Sequence, residues 1–213
     1  MEIQFIKGHN SMNNIFRFLT LDTETGGLDH KTHSLLEVCL TFNELYIDQD
    51  SNEYKVNQLS DLYIPILEEP LITTKEALSI NNIDITTWTG VTLEEASITL
   101  DTYLESITKD YKLYKITVLG HNPTFDINFL SRIPSYKNKH CTDYLSHRCL
   151  DTSSIGKFLQ LACDLSVDIS KSNSLFDFFN LSKEYRHTAY GDCINTTQAF
   201  VSMLNMIRTN SVE

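Results

Sequence analysis

Two acids stand one residue apart where an apolar run gives way to a turn: Asp22 and Glu24 in "FRFLTLDTETGGLD". On an extended strand, residues i and i+2 project from one face, so both carboxylates aim the same way. Taken alone, Asp22 reads equally well as a turn cap and Glu24 as a solvated side chain. A third acid, Asp126, sits in "GHNPTFDINFL" among Phe125, Ile127, Phe129 and Leu130. That setting predicts partial burial, which is costly for a carboxylate without a partner and so calls for a cation nearby. "HTAYGD" adds His187 and Asp192 at the start of a helix, where the dipole alone favours an acid and where His187 alone is an ordinary loop histidine. Together, four hard oxygen ligands without nearby thiolates suit Mg²⁺ or Mn²⁺ rather than structural zinc. Two such ions about 3.5–4 Å apart can generate hydroxide and stabilise a leaving oxygen in phosphodiester hydrolysis. A histidine beside them suits a general base that takes a proton from the attacking water.

The elements that must position these residues are legible in the pattern. Residues 15–21, "IFRFLTL", read as a buried strand broken by Gly26 and Gly27; "SLLEVCLTFNELYI" and "YKVNQLSDLYIPI" read as two more, giving an antiparallel meander with tight turns. A short helix is expected at "TKEALSINNI". From Thr92 to Ile107 a helix is marked by Thr92 and Glu95 as a capping box and by apolar residues at helical spacing. "KITVLGHN" predicts a fourth strand ending at Gly120, with a helix in "TFDINFLSRI" directly after it. "CLDTSSIGKFLQLACDL" predicts a brief strand running into a helix, and "GDCINTTQAFVSMLNMIRT" a closing helix. Ser135 to Arg148, "SYKNKHCTDYLSHR", reads as a long exposed loop. Strands first, then alternating helix and strand, describe an α/β layer fold with a mixed sheet.

A chain of 213 residues, 41% hydrophobic and 21% charged, has the composition of one globular domain with a substantial core. Residues 1–14 form an N-terminal extension to it. Five scattered cysteines, odd in number and never in a C-x-x-C pair, suit reduced thiols in a cytoplasm. No segment approaches the length needed to cross a bilayer, so no membrane partner is expected. A net charge of −11 argues against a broad basic surface that coats long duplexes, although metal ions can supply local positive charge.

The ordered motifs resemble those of the DEDDh branch of 3'-to-5' exonucleases, a family with the ribonuclease H-like fold that includes the proofreading subunit of bacterial DNA polymerase III, RNase T and oligoribonuclease. "LDTETGGL" is similar to the first motif, "GHNPTFDINFL" to the second and "HTAYGD" to the third, and the resemblance spans Phe16 to Ile207. It implies a five-stranded mixed sheet, three antiparallel strands followed by parallel ones, with helices on both faces. It implies that Asp22, Glu24, Asp126 and Asp192 hold two Mg²⁺ or Mn²⁺ ions and that His187 is the base. Thr25, Gly26 and Leu28 match the turn that seats the 3'-terminal nucleotide, Leu28 as an apolar wedge. Asn122 and Phe125 match positions lining the substrate channel; Phe125 can stack on a base or simply pack in the core.

Two departures stand out. Gly26 replaces a threonine common in the family, removing one contact and freeing the backbone to approach a sugar or phosphate. Asn81 and Asn82 in "SINNID" stand where many relatives read His-Gly, leaving Asn81 as a hydrogen-bonding substitute for the usual wedge. Among basic residues, Arg186 is the best candidate for a phosphate contact, with Arg132, Arg148 and Lys183 as fragments of a patch and Lys137 and Lys139 as a solvated loop. The implied activity is hydrolysis of single-stranded DNA or RNA 3' ends to nucleoside 5'-monophosphates, with a polymerase or a second copy of the chain as further partners. The alternatives are a weakly catalytic nucleic-acid-binding or polymerase-associated module of the same fold, and an interaction protein whose acids are structural.

Overall fold

The computed structural model describes residues 15–184 and 186–210; the N-terminal extension lies outside the described residues. Strands β1 (Phe16–Thr25), β2 (Leu35–Ile47) and β3 (Tyr54–Pro65) come first, followed by helices α1 (Lys75–Asn81) and α2 (Leu93–Asp110). Then come β4 (Ile116–Gly120), α3 (Pro123–Leu130), a 3₁₀ turn at Cys141–Tyr144, β5 (Leu145–Asp151), α4 (Thr152–Ala162), α5 (Ser172–Phe178) and α6 (Ala189–Asn210). The sheet order is β3-β2-β1-β4-β5, antiparallel among the first three strands in sequence and parallel where β4 meets β1 and β5. This is the expected mixed sheet.

Strand alternation sorts β1 onto two faces. Leu19 and Leu21 pack with Ala96, Leu100 and Leu104 of α2 and with Phe129 and Leu130 of α3. Phe18 points the other way, against Phe200 of α6, and Thr20 meets Thr197 of α6 through hydroxyls 2.6 Å apart. Both faces are therefore covered by helices. The capping box at Thr92 and Glu95 forms as the sequence indicates, the Thr92 amide donating to Glu95 Oε2 at 2.9 Å and the Glu95 amide to Thr92 Oγ1 at 3.2 Å.

The structure corrects several expectations. The segment 135–148 is not a long exposed loop: Cys141, Tyr144 and Leu145 are buried, and the Tyr144 hydroxyl donates to Asp101 of α2 at 2.7 Å. β5 is an edge strand whose Ser146, His147 and Arg148 leave half of it polar, which is why it reads as loop. β1 continues to Thr25, so both acids lie within the strand rather than beyond its end. The β1–β2 link, residues 26–34, is no tight turn; its ends close through a hydrogen bond from the Gly26 amide to the Ser34 carbonyl at 2.8 Å. α5 forms where sequence periodicity gave no helix, around buried Leu175 and Phe176.

α6 is seated on the sheet by a buried polar group as well as by apolar packing. Asn43 Nδ2, on a residue only 1% exposed, donates to Thr20 Oγ1 at 3.1 Å and to the Thr41 carbonyl at 2.8 Å, and Thr20 in turn meets Thr197. Asn43→Ala leaves those acceptors unsatisfied and opens a small void, so it should destabilise the fold by about 2–3 kcal/mol, read as a lower urea midpoint. An unchanged midpoint would mean that this network does not hold the helix.

Candidate active site

Three of the expected acids converge. Carboxylate oxygens of Asp22, Glu24 and Asp192 all lie within 4.8 Å of one another. β1 delivers the first two from its α6-facing side, and α6 delivers the third from its first turn. That turn is set by Thr188, whose hydroxyl accepts from the Gly191 amide at 3.1 Å and whose carbonyl accepts from the Asp192 amide at 3.0 Å. His187, just before the helix, holds a left-handed φ of 65°, and its amide donates to Asp192 Oδ2 at 3.3 Å. Asp192 Oδ1 is buried with no hydrogen-bond partner among the described residues. An orphaned carboxylate oxygen beside two more carboxylates is a donor set for a hard divalent cation, and the all-oxygen chemistry fits Mg²⁺ or Mn²⁺.

Asp126 stands slightly apart. It is 4% exposed on α3, and its Oδ1 accepts from both the Thr23 amide, at 2.9 Å, and the Thr23 hydroxyl, at 2.7 Å. Thr23 lies on the opposite parity of β1 from Asp22 and Glu24, so the strand pins Asp126 from its other face. The cation expected for this buried acid is thus replaced in part by two hydrogen bonds. Asp126 nevertheless remains close enough to raise the Asp22 carboxyl.

Crowding and burial shift all four acids upward. Burial, reinforced by Asp126, Asp192 and Glu24, raises Asp22 well above the usual carboxylate range. Glu24 rises to about 8, first through burial and then through Asp192, Glu37 and Asp126. Asp126 rises to about 7 through burial, against the pull of the Thr23 hydrogen bonds. Burial also raises Asp192, opposed by His187 and Arg186. Carboxyls pushed upward in this way hold charge only at a cost, and a cation relieves it.

Beside the acids lies a cavity of about 460 Å³, lined by Glu24, Thr25, Leu28, Ile80, Asn81 and Phe125 among others. Leu28 lines it while 86% exposed. Phe125 packs with its ring 4.9 Å from that of Phe129 and also lines the cavity. Asn81 is buried at 5% and donates to the Thr25 carbonyl at 3.3 Å, so it ties α1 to the end of the first motif. Thr25 spends its hydroxyl on the Gly27 carbonyl at 2.8 Å. His33, Thr74 and Ile80 complete the walls without having been anticipated; His33 is fixed by the Asp29 amide donating to its Nδ1 at 3.1 Å.

Three expected substrate residues take other positions. Gly26 does not line the cavity, and its glycine identity has a steric cause: a Cβ there would stand 2.3 Å from the Ile72 carbonyl oxygen. Asn122 is exposed at the head of α3, with φ of 63°, and its amide donates to Asp151 at 2.9 Å rather than facing the cavity. Arg186 donates to Asp177 at 2.9 Å and lies over the Phe176 ring, so the phosphate contact expected of it is replaced by an internal ion pair. Arg132 is likewise committed, as a fork on Glu68 and through Nη1 to the His30 carbonyl at 2.8 Å. That pair ties the 26–34 segment to the end of α3.

Two outcomes follow. A carboxyl whose folded pKa exceeds its unfolded one favours folding at low pH and loses that contribution as pH climbs through the folded value. For Glu24 and Asp126 the window runs from the ordinary carboxylate range to about 8 and about 7. In EDTA the melting temperature should therefore fall between pH 5.5 and 8.5, and millimolar Mn²⁺ should restore it mainly at the alkaline end; a flat profile would contradict the clustering. Gly26→Ala should cost about 1–3 kcal/mol from overpacking. Parental stability in that variant would remove the steric account.

No family model matches the chain. It is 25% identical over 209 residues to a ribonuclease T of Haemophilus ducreyi, a match covering 95% of this chain and 93% of that protein. Among solved structures it resembles exonuclease I, with a TM-score of 0.60 at 15% identity over 91% of this chain. The zinc-bound form of an E. coli exonuclease I–single-stranded DNA complex gives 0.61 at 15% identity over 90%. The chain spans about two fifths of exonuclease I, 41% and 40% in these two structures. The likeness to exonuclease I establishes the ribonuclease H-like fold, and the sequence similarity to a ribonuclease T runs nearly end to end through both chains.

Proposed function

We propose that the chain is a single-domain, metal-dependent 3'-to-5' exonuclease that shortens single-stranded DNA or RNA and releases nucleoside 5'-monophosphates. The observation that carries this reading is the convergence of Asp22, Glu24 and Asp192, with one Asp192 oxygen unsatisfied, beside a cavity large enough for a nucleotide. Asp22, Glu24 and Asp192, with the second oxygen of Asp126, would hold two Mg²⁺ or Mn²⁺ ions. Bound there, such ions supply Lewis acidity for the attacking water and the departing 3'-oxygen.

The protein's own groups do the rest. His187 takes the proton of the attacking water, and the tie between its amide and Asp192 keeps the base in register with the acids. The terminal base enters the cavity over Leu28 and Ile80 with Phe125 available to stack on it, while Asn81 holds the Thr25 carbonyl beside Glu24, which faces the terminal sugar. With Arg186 and Arg132 both engaged in ion pairs, phosphate recognition rests on the cations and on backbone groups, which suits a short footprint at the 3' end.

That exonuclease I is described with single-stranded DNA and with a dT13 oligonucleotide supports a single-stranded substrate here. No helix among the described residues is long and apolar enough to cross a membrane, and all five cysteines are free, in keeping with action in a reducing cytoplasm.

With Mn²⁺ and a labelled single-stranded oligonucleotide, the purified protein should release mononucleotides from the 3' end. Asp22→Ala should abolish release and His187→Ala should slow it by about 10²–10⁴-fold. Undiminished release by Asp22→Ala would sink the proposal, and matched DNA and RNA oligonucleotides would rank the two substrates.

A further inference from the structure

Glu37 is a buried acid that the site as described does not use. It sits on β2 directly opposite Glu24 of β1, so the two carboxylates occupy one cross-strand pair on the α6-facing side of the sheet. Like charges in that relation repel, and Glu37 is only 5% exposed. A sheet interior tolerates such a residue when both oxygens are answered. Here the Tyr63 hydroxyl of β3 donates to Oε1 at 2.8 Å, and the Ala189 amide donates to Oε2 at 3.0 Å.

Ala189 is the first residue of α6, two positions after His187 and three before Asp192. Its amide is one of the helix donors that no intrahelical carbonyl can satisfy. Thr188 Oγ1 covers the Gly191 amide, and Glu37 covers the Ala189 amide from the sheet. Next to this pair β2 carries an irregularity: Glu24 pairs with Glu37, but Thr25 pairs with Leu35, leaving Leu36 as an extra residue. Bulges of this kind re-aim neighbouring side chains.

We propose that Glu37 is a positioning residue: it clamps the N-terminus of α6 to the strand beside Glu24, and so fixes His187 and Asp192 relative to the acids of β1. The inference rests on the exonuclease reading and assigns the geometry of that site to a residue outside the three motifs. The clamp works through reach and hydrogen bonding rather than through charge. Glutamine keeps the length, accepting from the Ala189 amide through its oxygen and donating to the Tyr63 oxygen through its NH₂. Aspartate keeps the charge but is one methylene too short to serve both partners.

The experiment compares Glu37→Gln and Glu37→Asp with the parent protein in three readouts: kcat and KM on a single-stranded oligonucleotide, Mn²⁺ binding by calorimetry without nucleic acid, and melting in EDTA. Glu37→Asp should lose kcat and Mn²⁺ affinity by about 10–100-fold, as partners that orient metal-holding groups do, with KM changed less than about three-fold. Glu37→Gln should stay within about three-fold of the parent in all of these. Both variants should remain folded in EDTA, so that a general loss of structure is distinguished from a displaced helix end. An active Glu37→Asp with a weakened Glu37→Gln would make charge the operative property and overturn the inference, as would equal losses in both or parental behaviour in both. Asp22→Ala serves as the control: if it still turns over, the exonuclease reading fails, whereas that reading survives any outcome confined to Glu37.

Discussion

Mutual repulsion among crowded carboxylates is the constraint around which this molecule is arranged. Asp22, Glu24 and Asp192 crowd their oxygens together, Asp126 presses on them from α3, and Glu37 stands across the strand pair from Glu24. Such a cluster would drift apart or take up protons were it not held by elements with their own reasons to stay in place. Those reasons are supplied by the β1 alternation, the Thr20–Asn43 polar group beneath α6, and the Thr23 clasp on Asp126. The fold thus stores an unfavourable arrangement that a bound cation would relieve, which is how functional sites commonly depart from local energetic preference.

The acids are held by three different kinds of support. Asp22 and Glu24 are fixed on the central strand by their pairing with Cys39 and Glu37 of β2, just past the stretch where β1 pairs with β4. Asp192 depends on the register of a helix end, which is governed by Thr188 and by the sheet residue beneath it. Asp126 depends on a main-chain donor in β1, so the two strand faces are coupled through the backbone of a single residue. Removal of any one support leaves the others standing but changes the distances among the oxygens, and metal chemistry is sensitive to those distances.

Much of this was legible in the sequence because the informative residues act locally. Asp22 and Glu24 share a face by strand period alone, Thr92 and Glu95 cap a helix within four residues, and the order of the three motifs carried the family resemblance. What was not legible depends on pairing across the sheet or between distant segments. Glu37 looks like one acid in an apolar strand until the register sets it opposite Glu24. Arg186 looked free because its neighbour is His187, yet its partner is Asp177, brought close by the fold of α5. Gly26 suggested an open backbone, whereas the crowding comes from Ile72, far along the chain. Of β5 only the end, Cys149 to Asp151, was legible as a strand; its first half was hidden because an edge strand needs only one apolar side and reads like a loop.

The cavity walls come from the end of β1, from the segment between β1 and β2, from α1 with Thr74 before it and from Phe125, none of which lies on α6. The groups that hold the start of α6 lie elsewhere, in Glu37 of β2 and in Thr188 just before the helix. Glu24 alone of the three clustered acids also lines the cavity, so one carboxylate joins the pocket to the cluster. A chain built this way could change its diet over evolutionary time by redrafting one loop and much of one short helix, but only around a fixed Glu24.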